Sequence, residues 1–399
     1  MITEDDILLM HDAMLLAQQG EGLVNPNPLV GALIVKDDDV VARGYHTRYG
    51  DLHAEREAFK DAEERSVNCK GATMYVTLEP CCHEGHQPPC TDAIMEHGIK
   101  RVVVGLLDPN PLVAGKGLDI LREAGIEVEV IEDERATFEN PVVGSSAKEL
   151  VEHLKIQNRV FRKFITTNMP WITAKWAMTL DGKIATVTGD SKWITSERSR
   201  ERVHLVRKNN MAILCGIGTV MADDPMLNVR LSEEQMQRLG IKEHEVRQPI
   251  RIVADRQARI SMESQLVSTA HEIPTVVVYG NSADSEKLQE LRDAGVTLWN
   301  CNTLTELVQR AGAEKIDSIL LESGGTLSEA LLKEGLIDEV LAFVAPKIIG
   351  GKGAKTPVEG EGYSMMAEAV ELTDQIVETI GNDVLISGLI KTKEACSQE

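Results

Sequence analysis

Thr77-Leu-Glu-Pro-Cys-Cys-His-Glu-Gly-His-Gln-Pro-Pro-Cys90, taken with His53-Ala54-Glu55 upstream, is the stretch on which the reading of this chain turns. The run Thr73 to Leu78 is apolar and β-rich and predicts a strand, and Pro80 stops it. Cys81 and Cys90 therefore lie in the turn beyond a strand, and His53 stands where a helix over 53–64 is expected to begin. The order His-x-Glu, Pro-Cys, Cys contains the donor types that zinc accepts. A catalytic zinc takes three protein ligands and leaves a fourth position for water, whose pKa falls to about 7. His53, Cys81 and Cys90 are the candidate ligands, for one Zn2+ per chain. Glu55, two residues after the first ligand, is placed to take a proton from that water and hand it to a departing group. The alternative is a closed zinc knot with Cys82, His83 or His86 as fourth ligand. Neither the offset of Glu55 nor the Pro-rich turn before Cys90 is needed for such a knot. Cys82 reads as a bystander, and His11, His97 and Cys69 as surface or packing residues.

Working outward, Ile7, Met10, Met14 and Ala17 recur at helical spacing until Asn25-Pro-Asn-Pro28 breaks the pattern. Strands are predicted at Leu29 to Val35, Thr73 to Leu78, Arg101 to Leu107 and Ile126 to Ile131, separated by helical segments near 53–64, 91–97 and 115–124. That alternation is a layered α/β unit over 1–146. A polar helical segment over 147–168 reads as a connector. A second α/β series over 169–399 has strands at Ile172 to Met178, Met211 to Cys215, Ile250 to Ala254, Thr275 to Tyr279, Ser318 to Leu321, Glu339 to Val344 and Asp383 to Leu389.

A length of 399 residues with 43% hydrophobic content fits two domains. The chain shows no signal-peptide pattern and no long apolar run, and its seven cysteines are unevenly spaced, which predicts a cytoplasmic protein without membrane spans or a disulfide framework. A net charge of −21 argues against nucleic acid as a partner, because such binders carry basic stripes. A small phosphorylated ligand stays compatible, since a few arginines and backbone N–H groups suffice to hold one phosphate.

The zinc signature is that of nucleobase deaminases, in which two residues separate the cysteines. Here eight separate Cys81 from Cys90. With that insertion the segment resembles the deaminase domain of the bifunctional riboflavin-biosynthesis deaminase/reductase family. Asn27-Pro-Leu-Val-Gly31, Gly44-Tyr-His46 and Asp108-Pro-Asn-Pro-Leu-Val-Ala-Gly115 carry the same resemblance. It implies a cytidine-deaminase-like three-layer domain in which Asn27, His46, Asp108 and Asn110 line a pyrimidine and ribose-phosphate pocket. His86 stands where bacterial relatives usually carry Lys or Arg. It is expected to face the substrate, with Arg43 or Arg48 as the alternative phosphate partners.

In the second half, Lys175-Trp-Ala-Met-Thr-Leu-Asp181 leads into Ser191-Lys-Trp193, followed by Gly216-Ile-Gly-Thr219 and Glu322-Ser-Gly-Gly-Thr-Leu327. The last two follow predicted strands, and the second opens a helix, an arrangement that offers N–H groups to a pyrophosphate. The spacing is not that of the Rossmann fingerprint. In order, these segments resemble the reductase domain of the same family, which implies a dihydrofolate-reductase-like fold and NADPH as cofactor. The resemblance assigns Ala177, Trp193, Thr219, Asp223, Gly324, Gly325, Thr326, Leu327, Ser328, Glu329 and Ala330 to the cofactor. It assigns Ser191, Arg207, Leu227, Arg230 and Glu322 to the substrate. Arg256, where family members often carry a small hydroxyl residue, is expected to fork onto the 2′-phosphate of NADPH. Asp181-Gly182 reads as a structural turn, and no general acid for the reduction stands out. Family habit implies a homo-oligomer, dimer or tetramer. Two rival readings are a tRNA or free-nucleobase deaminase with an accessory domain, and a catalytically silent zinc-stabilised sensor.

Overall fold

The computed structural model describes residues 1–84, 87–110, 113 and 115–391. They form two compact units, Met1–Asn168 and Met169–Glu399.

The first unit is built on strands β1 (Gly31–Lys36), β2 (Asp39–Tyr45), β3 (Thr73–Leu78), β4 (Arg101–Leu106) and β5 (Glu127–Val130), in the sheet order β2-β1-β3-β4-β5. β1 is antiparallel to β2 and β3, whereas β3, β4 and β5 run parallel. Alternation along the strands separates two apolar layers. Ala32, Ile34, Met74, Val76, Val102 and Val104 face the helices Ala54–Glu64, Cys90–Glu96 and Lys116–Glu123 through Ala58, Phe59, Ile94 and Leu121. Leu33, Tyr75 and Val103 face the other way, onto Met10, Met14, Leu150 and Leu154. The sheet therefore lies between two helical layers, the three-layer arrangement expected.

Two details differ from the sequence expectation. Strand β2 was not anticipated, although Asp37 and Asp38 both adopt the left-handed region (φ 53° and 66°), as a two-residue hairpin turn requires. Residues 147–168 belong to the helices Pro141–Gln157 and Arg159–Thr167, and Ala147, Leu150, Val151 and Leu154 are buried in the core of this unit.

Gly44 matters for the site. A Cβ there would lie 2.2 Å from the backbone nitrogen of Ala58, so only glycine lets helix Ala54–Glu64 lie flat on β2. That contact places the N-terminal turn of this helix, and hence Glu55, over the sheet.

The second unit contains β6 (Trp171–Thr179), β7 (Ala212–Gly216), β8 (Ile250–Ala254), β9 (Thr275–Tyr279), β10 (Thr297–Asn300), β11 (Ser318–Leu321), β12 (Glu339–Ala345), β13 (Leu372–Ile380) and β14 (Asp383–Ile390). Their order is β10-β9-β8-β7-β11-β6-β12-β14-β13. Strands from β10 to β12 are parallel, and β14 and β13 complete the sheet antiparallel. Central strands β7, β9 and β11 read as near-continuous apolar runs because helices cover both faces. Strands β10 and β13 escaped the sequence reading. The first has four residues, and the second is a largely exposed edge whose side chains no core dictates. Among the described residues no helix is long and apolar enough to cross a membrane.

Candidate active sites

His53 is the residue before helix Ala54–Glu64, with extended backbone (φ −71°, ψ 161°), and its side chain makes no capping bond. The imidazole points instead at the β3 turn. Its Nδ1 lies 3.4 Å from Cys81 Sγ and 3.5 Å from Cys90 Sγ. Cys90 opens the helix Cys90–Glu96, and its backbone N–H donates to the Cys81 carbonyl (3.0 Å) and reaches Cys81 Sγ (3.4 Å). The three ligand atoms lie within 4.8 Å of one another. Ligands on a tetrahedral zinc, with bonds of about 2.0–2.3 Å, sit roughly 3.5–3.8 Å apart, so this donor set fits the ion. Among the described residues Cys82 and His83 are not in the group, and His86 lies outside those residues.

Electrostatics support a metal-ready thiolate. A hydrogen bond from the Cys90 thiol, and then one from His53 against the opposing effect of burial, bring the Cys81 thiol down to about 4. The companion Cys90 thiol moves up, because it is the donor to Cys81 and is buried. Glu55 is 3% exposed, and burial pushes its carboxyl up to about 7. A carboxyl in that range both accepts and returns a proton near neutrality.

His46, buried beside the triad, meets the His53 ring edge-on at 5.5 Å between centroids. The Asn27 amide nitrogen lies 3.0 Å from His46 Nε2 and can only donate, so Nε2 accepts. Nδ1 then carries the proton and donates to the Leu52 carbonyl (2.9 Å). Burial lowers the His46 pKa, in keeping with a neutral ring. Asp108 accepts from the Asn110 backbone N–H (2.8 Å), and burial raises its carboxyl to about 6. Sequence reasoning missed Glu79. This buried carboxylate accepts from the backbone N–H groups of Asp108 (3.3 Å), Gly115 (3.0 Å) and Gly117 (3.1 Å). It ties the loop bearing Asp108 and Asn110 to the turn bearing Cys81.

In the second unit a cleft of about 1180 Å³ opens at the carboxyl ends of β7, β8 and β9, the position where α/β sheets hold ligands. Ser191, Thr219, Asp223, Arg256, Gly324, Gly325, Thr326, Leu327 and Ala330 line it. The two glycine-rich turns meet there, with the Gly324 N–H donating to Thr219 Oγ1 (3.3 Å). Arg259 and Asn302 line the same cleft and were not anticipated. Ala177, Trp193, Ser328 and Glu329 do not line it. Ala177 is paired with Phe343 inside the sheet, and Trp193 is 65% exposed under the Arg200 guanidinium. Ser328 is buried against Ser323, and Glu329 faces Gly360.

The remaining candidates gather around Glu322, just past β11. Arg207 grips its carboxylate through Nε (2.6 Å) and Nη2 (3.0 Å), and Lys175 Nζ lies at 3.2 Å. Burial works against the charge, yet Arg207 and Lys175 hold Glu322 well below the usual carboxylate range. Arg207 also donates to the Asn228 carbonyl (2.9 Å), and Arg230 donates to Asn228 Oδ1 (2.5 Å). Leu227 is buried and left-handed (φ 45°). His204 is driven down to about 4 by burial and then by Arg207 and Arg230, so it stays neutral at physiological pH. Lys175 is a further residue the sequence reading passed over. Its signal was a cation inside an otherwise apolar strand. Asp181 accepts from Thr179 and from the Ile349 and Gly350 backbone, as a turn residue does.

Residues 170–386 match the RibD C-terminal domain, and residues 3–106 match the cytidine and deoxycytidylate deaminase zinc-binding region. The riboflavin biosynthesis protein RibD of Actinobacillus pleuropneumoniae is 43% identical over 394 residues, which is 97% of this chain and 96% of that protein. The chain belongs to the RibD family. The Escherichia coli member is 39% identical, covering 96% of this chain and 98% of its own length. Among solved structures, Acinetobacter baumannii RibD superposes with a TM-score of 0.82 at 34% identity, covering 97% of this chain and 99% of that one. A Thermotoga maritima diaminohydroxyphosphoribosylaminopyrimidine deaminase/5-amino-6-(5-phosphoribosylamino)uracil reductase superposes at 0.79 with 33% identity, covering 97% and 99%. The protein is thus a bifunctional enzyme of riboflavin biosynthesis, with a zinc-binding deaminase domain and an NADPH-dependent reductase domain of the RibD type.

Proposed function

We propose that the chain carries out two consecutive steps on one phosphorylated metabolite. The first hydrolytically removes the exocyclic amine of a diaminopyrimidine carrying phosphoribosylamine. The second reduces its ribosyl group to ribityl with hydride from NADPH delivered to C1. We assign deamination to the unit Met1–Asn168, whose core takes in the helices over 147–168, and reduction to the unit that begins at Met169.

The observation that carries the reading is geometric: the buried carboxyl of Glu55 follows His53 by two residues, beside three donor atoms that lie within 4.8 Å of one another. His53, Cys81 and Cys90 would hold zinc, which supplies Lewis acidity toward water when bound. Glu55 accepts the proton that the attacking water loses and returns it to the departing amine. Neutral His46, held by Asn27 and Leu52, offers a fixed ring edge to the pyrimidine, and Asp108 and Asn110 face the sugar.

In the reductase, the N-terminal turn of helix Gly325–Lys333 and Thr219 take the pyrophosphate, while Asp223 contacts the rest of the cofactor. Arg256 forks onto the 2′-phosphate. Arg230, Ser191 and Leu227 meet the substrate, and the three cations Lys175, Arg207 and Arg230 outweigh the single Glu322 carboxylate, which suits a phosphate. We also infer a dimeric or tetrameric cytoplasmic enzyme with no nucleic-acid partner, the last supported by the charge of −21. A coupled assay tests the reading. The diaminopyrimidine should release ammonia and oxidise NADPH in equal amounts, and release of ammonia without NADPH oxidation would overturn it.

A further inference from the structure

The segment between helices Ile217–Asp223 and Glu233–Leu239 has no regular structure, yet it carries Leu227 and Arg230. Two of its residues, Asp224 (φ 39°) and Leu227 (φ 45°), sit in the left-handed region without being glycine. A leucine stays there only when its surroundings over-determine the backbone. Arg207 holds the Asn228 carbonyl (2.9 Å), and Gln248 holds the next residue from both sides. Gln248 Oε1 accepts from the Val229 backbone N–H (2.8 Å), and Gln248 Nε2 donates to the Val229 carbonyl (3.0 Å). A single amide thus satisfies both backbone groups of one residue, as a neighbouring strand would. Arg251, fully buried with only neutral acceptors, reaches the Met226 carbonyl at 3.3 Å, and the Arg230 N–H donates to His204 Nδ1 at 3.2 Å. Gln248 does not line the cofactor cleft, makes both of these hydrogen bonds to Val229 rather than to the charged cluster, and lies two residues before β8.

We propose that Gln248 is a positioning residue of the reductase, which sets Leu227 and Arg230 against the substrate by clamping Val229, one of the two residues between them. The proposal rests on the reading that Leu227 and Arg230 meet the substrate. Gln248→Leu removes both bonds, Gln248→Glu keeps the acceptor and sets a carboxylate against the Val229 carbonyl, and Gln248→Asn keeps the amide one methylene short. Two part-buried hydrogen bonds are worth about a tenfold effect. In steady-state assays on the deaminated substrate, KM should rise about tenfold in Gln248→Leu and Gln248→Glu, with kcat within about twofold. Gln248→Asn should recover part of that loss. NADPH affinity, read by fluorescence titration, and ammonia release should not move. NADPH affinity and KM weakening together, or a lowered melting temperature with KM unchanged, would overturn the proposal. If any one of the three variants does not fold, the other two decide the matter. Arg230→Ala, run in parallel, separates the two levels. A raised KM there with none in the Gln248 variants sinks only the clamp. An unchanged KM in Arg230→Ala sinks the underlying assignment of this loop.

Discussion

The two sites of this enzyme are built on opposite plans. The deaminase centre draws three donor atoms within 4.8 Å from the ends of two helices and one turn, and its chemistry is fixed by side-chain type. The proposed reductase site spreads over a cleft of about 1180 Å³ and would rely on backbone N–H groups, strand ends and a charged cluster around Glu322. One missing ligand empties the first kind of site, because no other group replaces a thiolate. The second kind fails by degrees, since each contact is one among many.

That contrast sets the order of expected effects. Cys90→Ala should lose zinc, measured by metal analysis, and ammonia release with it, while leaving NADPH oxidation of the deaminated intermediate at wild-type rates. Retention of full zinc would remove Cys90 from the ligand set. Glu322→Gln should come next. It strips the common partner from Arg207 and Lys175, and leaving buried charges unpaired costs about 3–5 kcal/mol. Thermal denaturation of the second unit and a large loss of reductase turnover should report it together, whereas a normal melt with normal turnover would show that the cluster is dispensable.

Arg256→Ser tests the distributed site more gently. Loss of a charge-assisted bond of about 1.5–3 kcal/mol should cut the preference for NADPH over NADH by roughly 10- to 100-fold. An unchanged preference would make Arg256 a surface charge. The smallest effect is expected at Asp108, where burial raises the carboxyl from 3.8 to about 6. The folded state then binds the proton more tightly than the unfolded chain. Its stabilising contribution is present below about pH 4 and is lost as pH rises through 6. Asp108→Asn should lack this slope and gain about 1–2 kcal/mol relative to wild type at pH 7, read from melts at pH 4 and pH 7. Parallel pH profiles in the two proteins would contradict the burial argument.

The same contrast explains what could be read from the amino-acid sequence. His53, Glu55, Cys81 and Cys90 announce themselves because zinc restricts both residue type and spacing. Nothing comparable marks Glu79, whose partners are three backbone N–H groups far along the chain, or Gln248, whose partner is the backbone of Val229. Backbone contacts leave no residue-type signature. Buried parallel strands such as β7, β9 and β11 were legible as apolar runs, while β13 was not, because an exposed edge needs no apolar face. Arg207 was legible as a cation for an anionic substrate, yet in the folded chain its guanidinium is bound to Glu322 and to the Asn228 carbonyl. Only tertiary pairing reveals that commitment.

The central claim is that a proton-transferring Glu55 serves the deaminase alone and that the reductase is an independent site. Glu55→Gln tests it most directly, with ammonia release, zinc content and NADPH oxidation of the deaminated intermediate measured on one preparation. General acid/base loss predicts a fall of about 10²–10⁴-fold in ammonia release, one zinc per chain retained, and NADPH oxidation unchanged. Loss of zinc with the activity would make Glu55 a structural residue, and failure of NADPH oxidation in a folded protein would show that the two sites are not independent.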